Sequence, residues 1–150
     1  MKVCIGGTFN ILHKGHEILI EKAFQTAGNN GRVFIGLTKG KIIKKKKNVK
    51  PYEQRLKSLK KYLLSKGYNK LAEIRPIYDE YGPTINEEFD AIVVSSETVD
   101  NAEKINKKRK EKGKKPIIVI EIPMVIADDQ KPISSTRINK NEIDRTGRIL

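Results

Sequence analysis

The chain has one cysteine, no tryptophan and two histidines in 150 residues. A single cysteine, Cys4, excludes an internal disulfide and suits a reducing cytoplasm. Aromatic residues make up 6% of the chain, and no base-stacking motif of the RNA-recognition type is present. No apolar run approaches the ~20 residues of a membrane span. The amino terminus passes straight into a strand pattern, so no secretory leader is expected. Repeats and linkers are also lacking, and the length suits one domain over residues 1–150. Acidic residues are few, 18 against 31 Lys and Arg, for a net charge of +13. That excess invites a nucleic-acid reading. However, the lysines fall in separate clusters (44–47, 57–61 and 107–115) on loop or helix surface, so solvated lysines that steer anionic substrates fit better than a specific nucleic-acid interface. The Lys- and Ile-rich, Gln-poor composition also matches thermophile chains.

What is present is concentrated near the start. Val3, Cys4 and Ile5 form a short apolar run that reads as a buried strand. Ile18, Leu19, Ala23 and Phe24 have helical spacing. Between them lie Gly6, Gly7, Thr8, Phe9, His13, Gly15 and His16, where a strand hands over to a helix. Ligands of open α/β sheets bind at such strand ends. A helix start offers unpaired N–H groups and a positive dipole end, which suit phosphate. Three readings of the histidines follow. A metal site needs a third ligand, and the chain has no further histidine. Two surface histidines without a role would be unremarked singly, but both fall in one glycine-bearing junction. In the third reading both imidazoles face phosphate oxygens and stabilise developing charge.

A second constellation lies late in the chain, Ile133-Ser134-Ser135-Thr136-Arg137-Ile138. Ser134 or Ser135 suits a helix N-cap. Hydroxyls and the Arg137 guanidinium would grip an anion from the side opposite the histidines; a capped helix with a solvent-facing arginine is the alternative.

The patterning predicts strands over 2–6, 32–37, 71–77, 91–94 and 117–122. It predicts helices over about 14–27, from Pro51 to Gly67, and over 98–113. A short helix is expected near Ser134, and the tail from Asn141 to Leu150 is expected to be partly helical. Tyr52, Leu56, Leu59, Leu63 and Leu64 form the stripe of the second helix. Strands alternating with helices imply an α/β fold, a Rossmann-like doubly wound sheet of about five parallel strands. The site should lie between the ends of strands one and four.

Residues 8–16 resemble the HxGH signature of the nucleotidyltransferase superfamily, and 133–138 resemble its ISSTR motif. Further segments narrow the likeness: 51–56, 77–84, 95–98, 105–109, 142–145 and 147–148. Together they are similar to the archaeal-type phosphopantetheine adenylyltransferases and to the matching domain of eukaryotic coenzyme A synthase. The resemblance implies transfer of AMP from ATP to 4′-phosphopantetheine, with Mg²⁺ carried by the nucleotide and no metal held by the protein itself. It implies that His16 and Thr8 act at the α-phosphate, His13 contacts the triphosphate or holds the loop, and Ser134, Ser135, Thr136 and Arg137 grip the β- and γ-phosphates. Lys46, with Lys47 next, would hold the incoming phosphate. Glu97 and Arg109 are candidate nucleotide contacts or a surface ion pair. Gly6, Gly7 and Phe9 would shape the floor. Asn10 stands where many relatives carry Asp. Superfamily members with other acceptors, flavin mononucleotide or glycerol and choline phosphates, share the same phosphate machinery. A monomer in the cytoplasm is expected.

Overall fold

Val3, Cys4 and Ile5 are buried on both faces of β1 (Lys2–Gly7), as a central parallel strand requires. The structure is a computed structural model and describes residues 1–43 and 48–150. After β1 come α1 (Lys14–Ala27), β2 (Arg32–Thr38), α2 (Tyr52–Ser65), β3 (Ala72–Ile77), β4 (Ala91–Ser95), α3 (Val99–Glu111), β5 (Ile118–Ile122) and α4 (Ser135–Asn139). All strand pairs are parallel, in the order β3-β2-β1-β4-β5. The predicted Rossmann-like doubly wound sheet is therefore the observed one. The strand order reverses between β1 and β4, which opens a crevice at their carboxyl ends.

Side chains alternate across the sheet with period two. Val3, Ile5, Val33, Ile35, Leu37, Ala91 and Val93 share one core cluster with Ile20 and Phe24 of α1 and Leu59 and Leu63 of α2. Cys4, Phe34, Ile92 and Val94 join the other cluster, with Ala102 and Ile105 of α3. A smaller third cluster of Ala127, Ile133 and Ile143 supports the segment after β5.

Three expectations are corrected. The tail is not helical: its residues turn about Asp144, whose Oδ1 accepts the N–H groups of Thr146 and Arg148, and Ile143 bridges Ile149. Leu64 leaves the stripe of α2 and is exposed, whereas Arg55 joins its buried face. Arg109 is buried and lines neither cavity; its one ion pair among the described residues reaches the exposed Glu88 at 3.5 Å. Arg109 is 1% exposed and donates to the carbonyls of Thr84 (2.8 Å), Glu87 (2.9 Å) and Lys115 (2.8 Å). Its guanidinium takes the place of a crossover helix, because residues 78–90 between β3 and β4 contain none. Buried carbonyls left unpaired would cost about 1–3 kcal/mol each.

Candidate active site

The junction between β1 and α1 is built by its own side chains. His13 stands at the N-cap of α1 with an extended backbone, and its Nδ1 accepts the Gly15 N–H at 3.0 Å. The His13 N–H donates in turn to Nδ1 of His16 at 3.3 Å, which completes a capping box made of two imidazoles. The rings stack with centroids 3.8 Å apart. Each Nδ1 accepts a backbone proton, so the hydrogen-bond pattern assigns the ring proton to Nε2 in both. Burial pushes the His13 pKa down to about 4. Burial and the neighbouring His13 push His16 down to about 3, with the Ile11 backbone acting in the opposite sense. Both histidines are therefore neutral near pH 7.

The start of α1 does not offer the unpaired amides expected of it. Lys14 N–H donates to the Arg145 carbonyl at 2.9 Å and Glu17 N–H to the His13 carbonyl at 3.0 Å. The His13 side chain accepts the others. The first-turn amides of α1 are spent within the protein, and the two imidazoles line the cleft there.

The glycines of the junction have steric reasons. A Cβ on Gly15 would lie 2.8 Å from the His13 ring, and one on Gly7 would lie 3.2 Å from the Phe9 ring. Phe9 is buried with φ +46°, a left-handed conformation that a large side chain adopts at a cost of order 1–3 kcal/mol. Its ring packs 5.0 Å from His16, centroid to centroid.

The late motif reaches the same place. The Ser135 hydroxyl accepts the Ile11 N–H at 3.1 Å and donates to the Ile11 carbonyl at 3.2 Å. Ser134 caps α4, accepting the Arg137 N–H at 3.2 Å. A cleft of about 720 Å³ results, lined by Gly6, Gly7, Thr8, Phe9, His13, His16, Glu97, Ser134, Ser135 and Thr136 among others. Ten of the thirteen predicted site residues line it, and the remaining three lie as follows. Arg137 does not line the cleft. Its guanidinium pairs bidentately with Asp129, donates to the Pro132 carbonyl at 2.9 Å and lies 3.6 Å from Glu142. Asp129 holds the Arg137 pKa up, and Arg137 holds the Asp129 carboxyl down. Arg109 also lies elsewhere, and Lys46 falls outside the described residues. Lys140, which the sequence reading passed over, lines the cleft beside Asn139. Four-residue spacing puts Thr136 and Lys140 on one face, a signal present in the sequence.

A second cavity of about 240 Å³ has a mostly apolar wall that includes Cys4, Phe34, Ile77, Pro83, Ile92 and Val94. It shares Gly6, Gly7 and Thr8 with the first, so the two meet at the β1–α1 turn.

The family model for cytidylyltransferase-like proteins matches residues 4–141. A phosphopantetheine adenylyltransferase of Methanosarcina mazei is 48% identical over 99% of this chain and 96% of its own length. The chain belongs to the phosphopantetheine adenylyltransferase family. The family member of Archaeoglobus fulgidus is 42% identical over 100% of both chains. A crystal structure of a protein of unknown function from Archaeoglobus fulgidus superposes with TM-score 0.74 at 38% identity, covering 81% of this chain and 89% of that one. As a phosphopantetheine adenylyltransferase family member the chain is an enzyme, a nucleotidyltransferase.

Proposed function

We propose that the chain moves AMP from ATP to 4′-phosphopantetheine, giving dephospho-coenzyme A and pyrophosphate, a step of coenzyme A biosynthesis. The observation that carries this is the bond between Ser135 and Ile11, which brings the two motifs around one cleft that opens onto an apolar cavity at Thr8. The large cleft has room for a nucleotide. The apolar cavity suits a pantetheine arm, whose phosphate would then lie at the shared turn.

An acceptor phosphate oxygen attacks the α-phosphorus in line. A P–O bond forms to the acceptor, the bond between the α-phosphorus and the bridging oxygen to the β-phosphate breaks, and pyrophosphate leaves with that electron pair. The attacking oxygen is already ionised at neutral pH, so neither a general base nor a covalent intermediate is needed. Catalysis is positioning plus charge stabilisation. His16 donates to the α-phosphate in the transition state, and Thr8 orients the phosphates. His13 holds the turn and contacts the triphosphate. Ser134, Ser135, Thr136 and Lys140 face the β- and γ-phosphates, and Lys46 holds the acceptor phosphate. Gly6, Gly7 and Phe9 form the floor, with Glu97 at the nucleotide end.

Mg²⁺ carried by ATP would neutralise phosphate charge. No group of three or more His, Cys, Asp or Glu is gathered among the described residues, and Glu97 is the carboxylate on the cleft wall, so phosphates and water would supply most of its ligands. The buried Cys4 thiol suits the cytoplasm, and the charged outer faces of α2 and α3 suit a monomer. No helix among the described residues is long and apolar enough to cross a membrane.

The test is pyrophosphate release from ATP with 4′-phosphopantetheine, flavin mononucleotide, glycerol phosphate and phosphocholine in turn. Release with the first alone is expected. Release only with another acceptor would reassign the apolar cavity.

A further inference from the structure

Arg55 lies on α2, has no part in lining either cavity, and is 1% exposed. An arginine so deep in a core must be satisfying something. Its Nε donates to the Lys50 carbonyl at 2.8 Å. Its Nη1 donates to the Thr8 carbonyl at 3.0 Å and lies 3.5 Å from the Thr38 hydroxyl. The Thr38 hydroxyl in turn donates to the Thr8 hydroxyl at 3.0 Å. One guanidinium thus reaches both the backbone and, through Thr38, the side chain of the residue at which the two cavities meet. The same segment is held a second time. Asn10 accepts the Lys50 N–H at 2.8 Å through Oδ1 and donates to the Asn48 carbonyl at 3.0 Å through Nδ2. The lysine run of the sequence passes directly into Asn48.

We propose that Arg55 is a positioning residue for the transfer: with Asn10 it clamps residues 48–50 against the β1–α1 turn and sets Thr8 in the one geometry that brings acceptor and nucleotide phosphates together. The inference rests on the adenylyltransferase reading above. A planar fork suits this task, because it reaches two carbonyls and a hydroxyl from one rigid group. Lysine, a flexible point donor, does not reproduce it. The amide of Asn10 is used on both sides, as donor and as acceptor; a carboxylate there would keep the bond to Lys50 N–H and lose the one to the Asn48 carbonyl.

The experiment compares the wild type with Arg55→Ala, Arg55→Lys and Thr38→Val in steady-state pyrophosphate release, with ATP affinity measured separately by calorimetry. A misplacement of about 1 Å in a transfer site costs about 100-fold in rate. The expected result is a fall in kcat of about 100-fold for both Arg55 variants and about tenfold for Thr38→Val. ATP affinity should change less than about threefold. Millimolar guanidinium should restore at least tenfold of the loss in Arg55→Ala and nothing in Arg55→Lys. Thr38→Val preserves shape and keeps the test valid if the Arg55 variants do not fold. An unchanged kcat in Thr38→Val, or an Arg55→Ala loss that tracks ATP affinity and ignores guanidinium, overturns the clamp. A wild type that releases no pyrophosphate with 4′-phosphopantetheine overturns the adenylyltransferase reading itself, and with it this role; an active wild type matched by its variants overturns the clamp alone.

Discussion

Between pH 7 and pH 5 the stability of this protein should depend on two side chains. The chain contains no histidine beyond His13 and His16, and both are held far below their ordinary value of 6.5, at about 4 and about 3. The unfolded chain therefore takes up protons that the folded chain refuses. Stability is complete above the unfolded pKa and drains away as pH falls from about 6.5 toward the folded values. Carboxylates do not confuse this window: Glu87, Asp129 and Asp144 are held below their ordinary values of 4.5, 3.8 and 3.8, so their contribution is lost only at lower pH. One unit of pKa shift corresponds to about 1.4 kcal/mol. Linkage then gives a loss of about 2 kcal/mol for each ring between pH 7 and pH 5, about 4 kcal/mol for the pair. The assay is urea unfolding at the two pH values, on the wild type and on a double variant, His13→Asn with His16→Asn. Asparagine retains an N-cap acceptor, so the variant should fold and lose most of the pH dependence. A wild type equally stable at both pH values, or a double variant as acid-sensitive as the wild type, would refute the neutral, mutually capped imidazole pair.

Other outcomes follow from the same contacts. His16→Ala should lower kcat by about two to three orders of magnitude while ATP binding changes little, as for loss of one oxyanion donor; stopped-flow and calorimetry separate the two. Gly15→Ala places a methyl 2.8 Å from the His13 ring. Unfolding free energy should stay nearly constant, because alanine's better helix propensity of about 1 kcal/mol offsets the lost cap, yet turnover should fall at least about tenfold. Arg137→Lys should lower the melting temperature and leave the ATP dissociation constant within about threefold, since its guanidinium serves Asp129 and Pro132 outside the cleft. Lys140→Ala should weaken ATP binding about fivefold at low salt and less at high salt, the behaviour of an exposed charge on a polyanion.

The architecture was legible because its signals are local. Residues 14–27 become α1 as read, since His13 caps one end and Gly28, at φ +79°, closes the other. The β1–α1 junction and the Ser134–Thr136 wall were also legible, because glycine, hydroxyl and imidazole residues, none of them ordinary core formers, gather there. The burial of two arginines, Arg55 and Arg109, was not part of the sequence reading. A guanidinium is read from sequence as a solvent group, but Arg55 and Arg109 replace missing helix and strand partners for loop carbonyls. Their burial was nevertheless written in the spacing: Arg55 precedes Leu59 and Leu63 by four and eight residues, and Arg109 follows Ile105 by four. The partner of Arg137, by contrast, is Asp129, eight residues upstream across a turn. No periodicity announces a pairing of that kind. The tail misled because its turn is dictated by one side chain, Asp144, and not by a repeating pattern.

The late wall of the cleft carries a consequence for how the molecule comes into being. Every strand among the described residues is complete by Ile122, whereas Ser135 reaches back 124 residues to Ile11 and the Arg145 carbonyl seals the start of α1. A nascent chain emerging from the ribosome has all of these strands before the Ser134–Thr136 wall of the cleft is translated, so the proposed transfer has to wait for that wall.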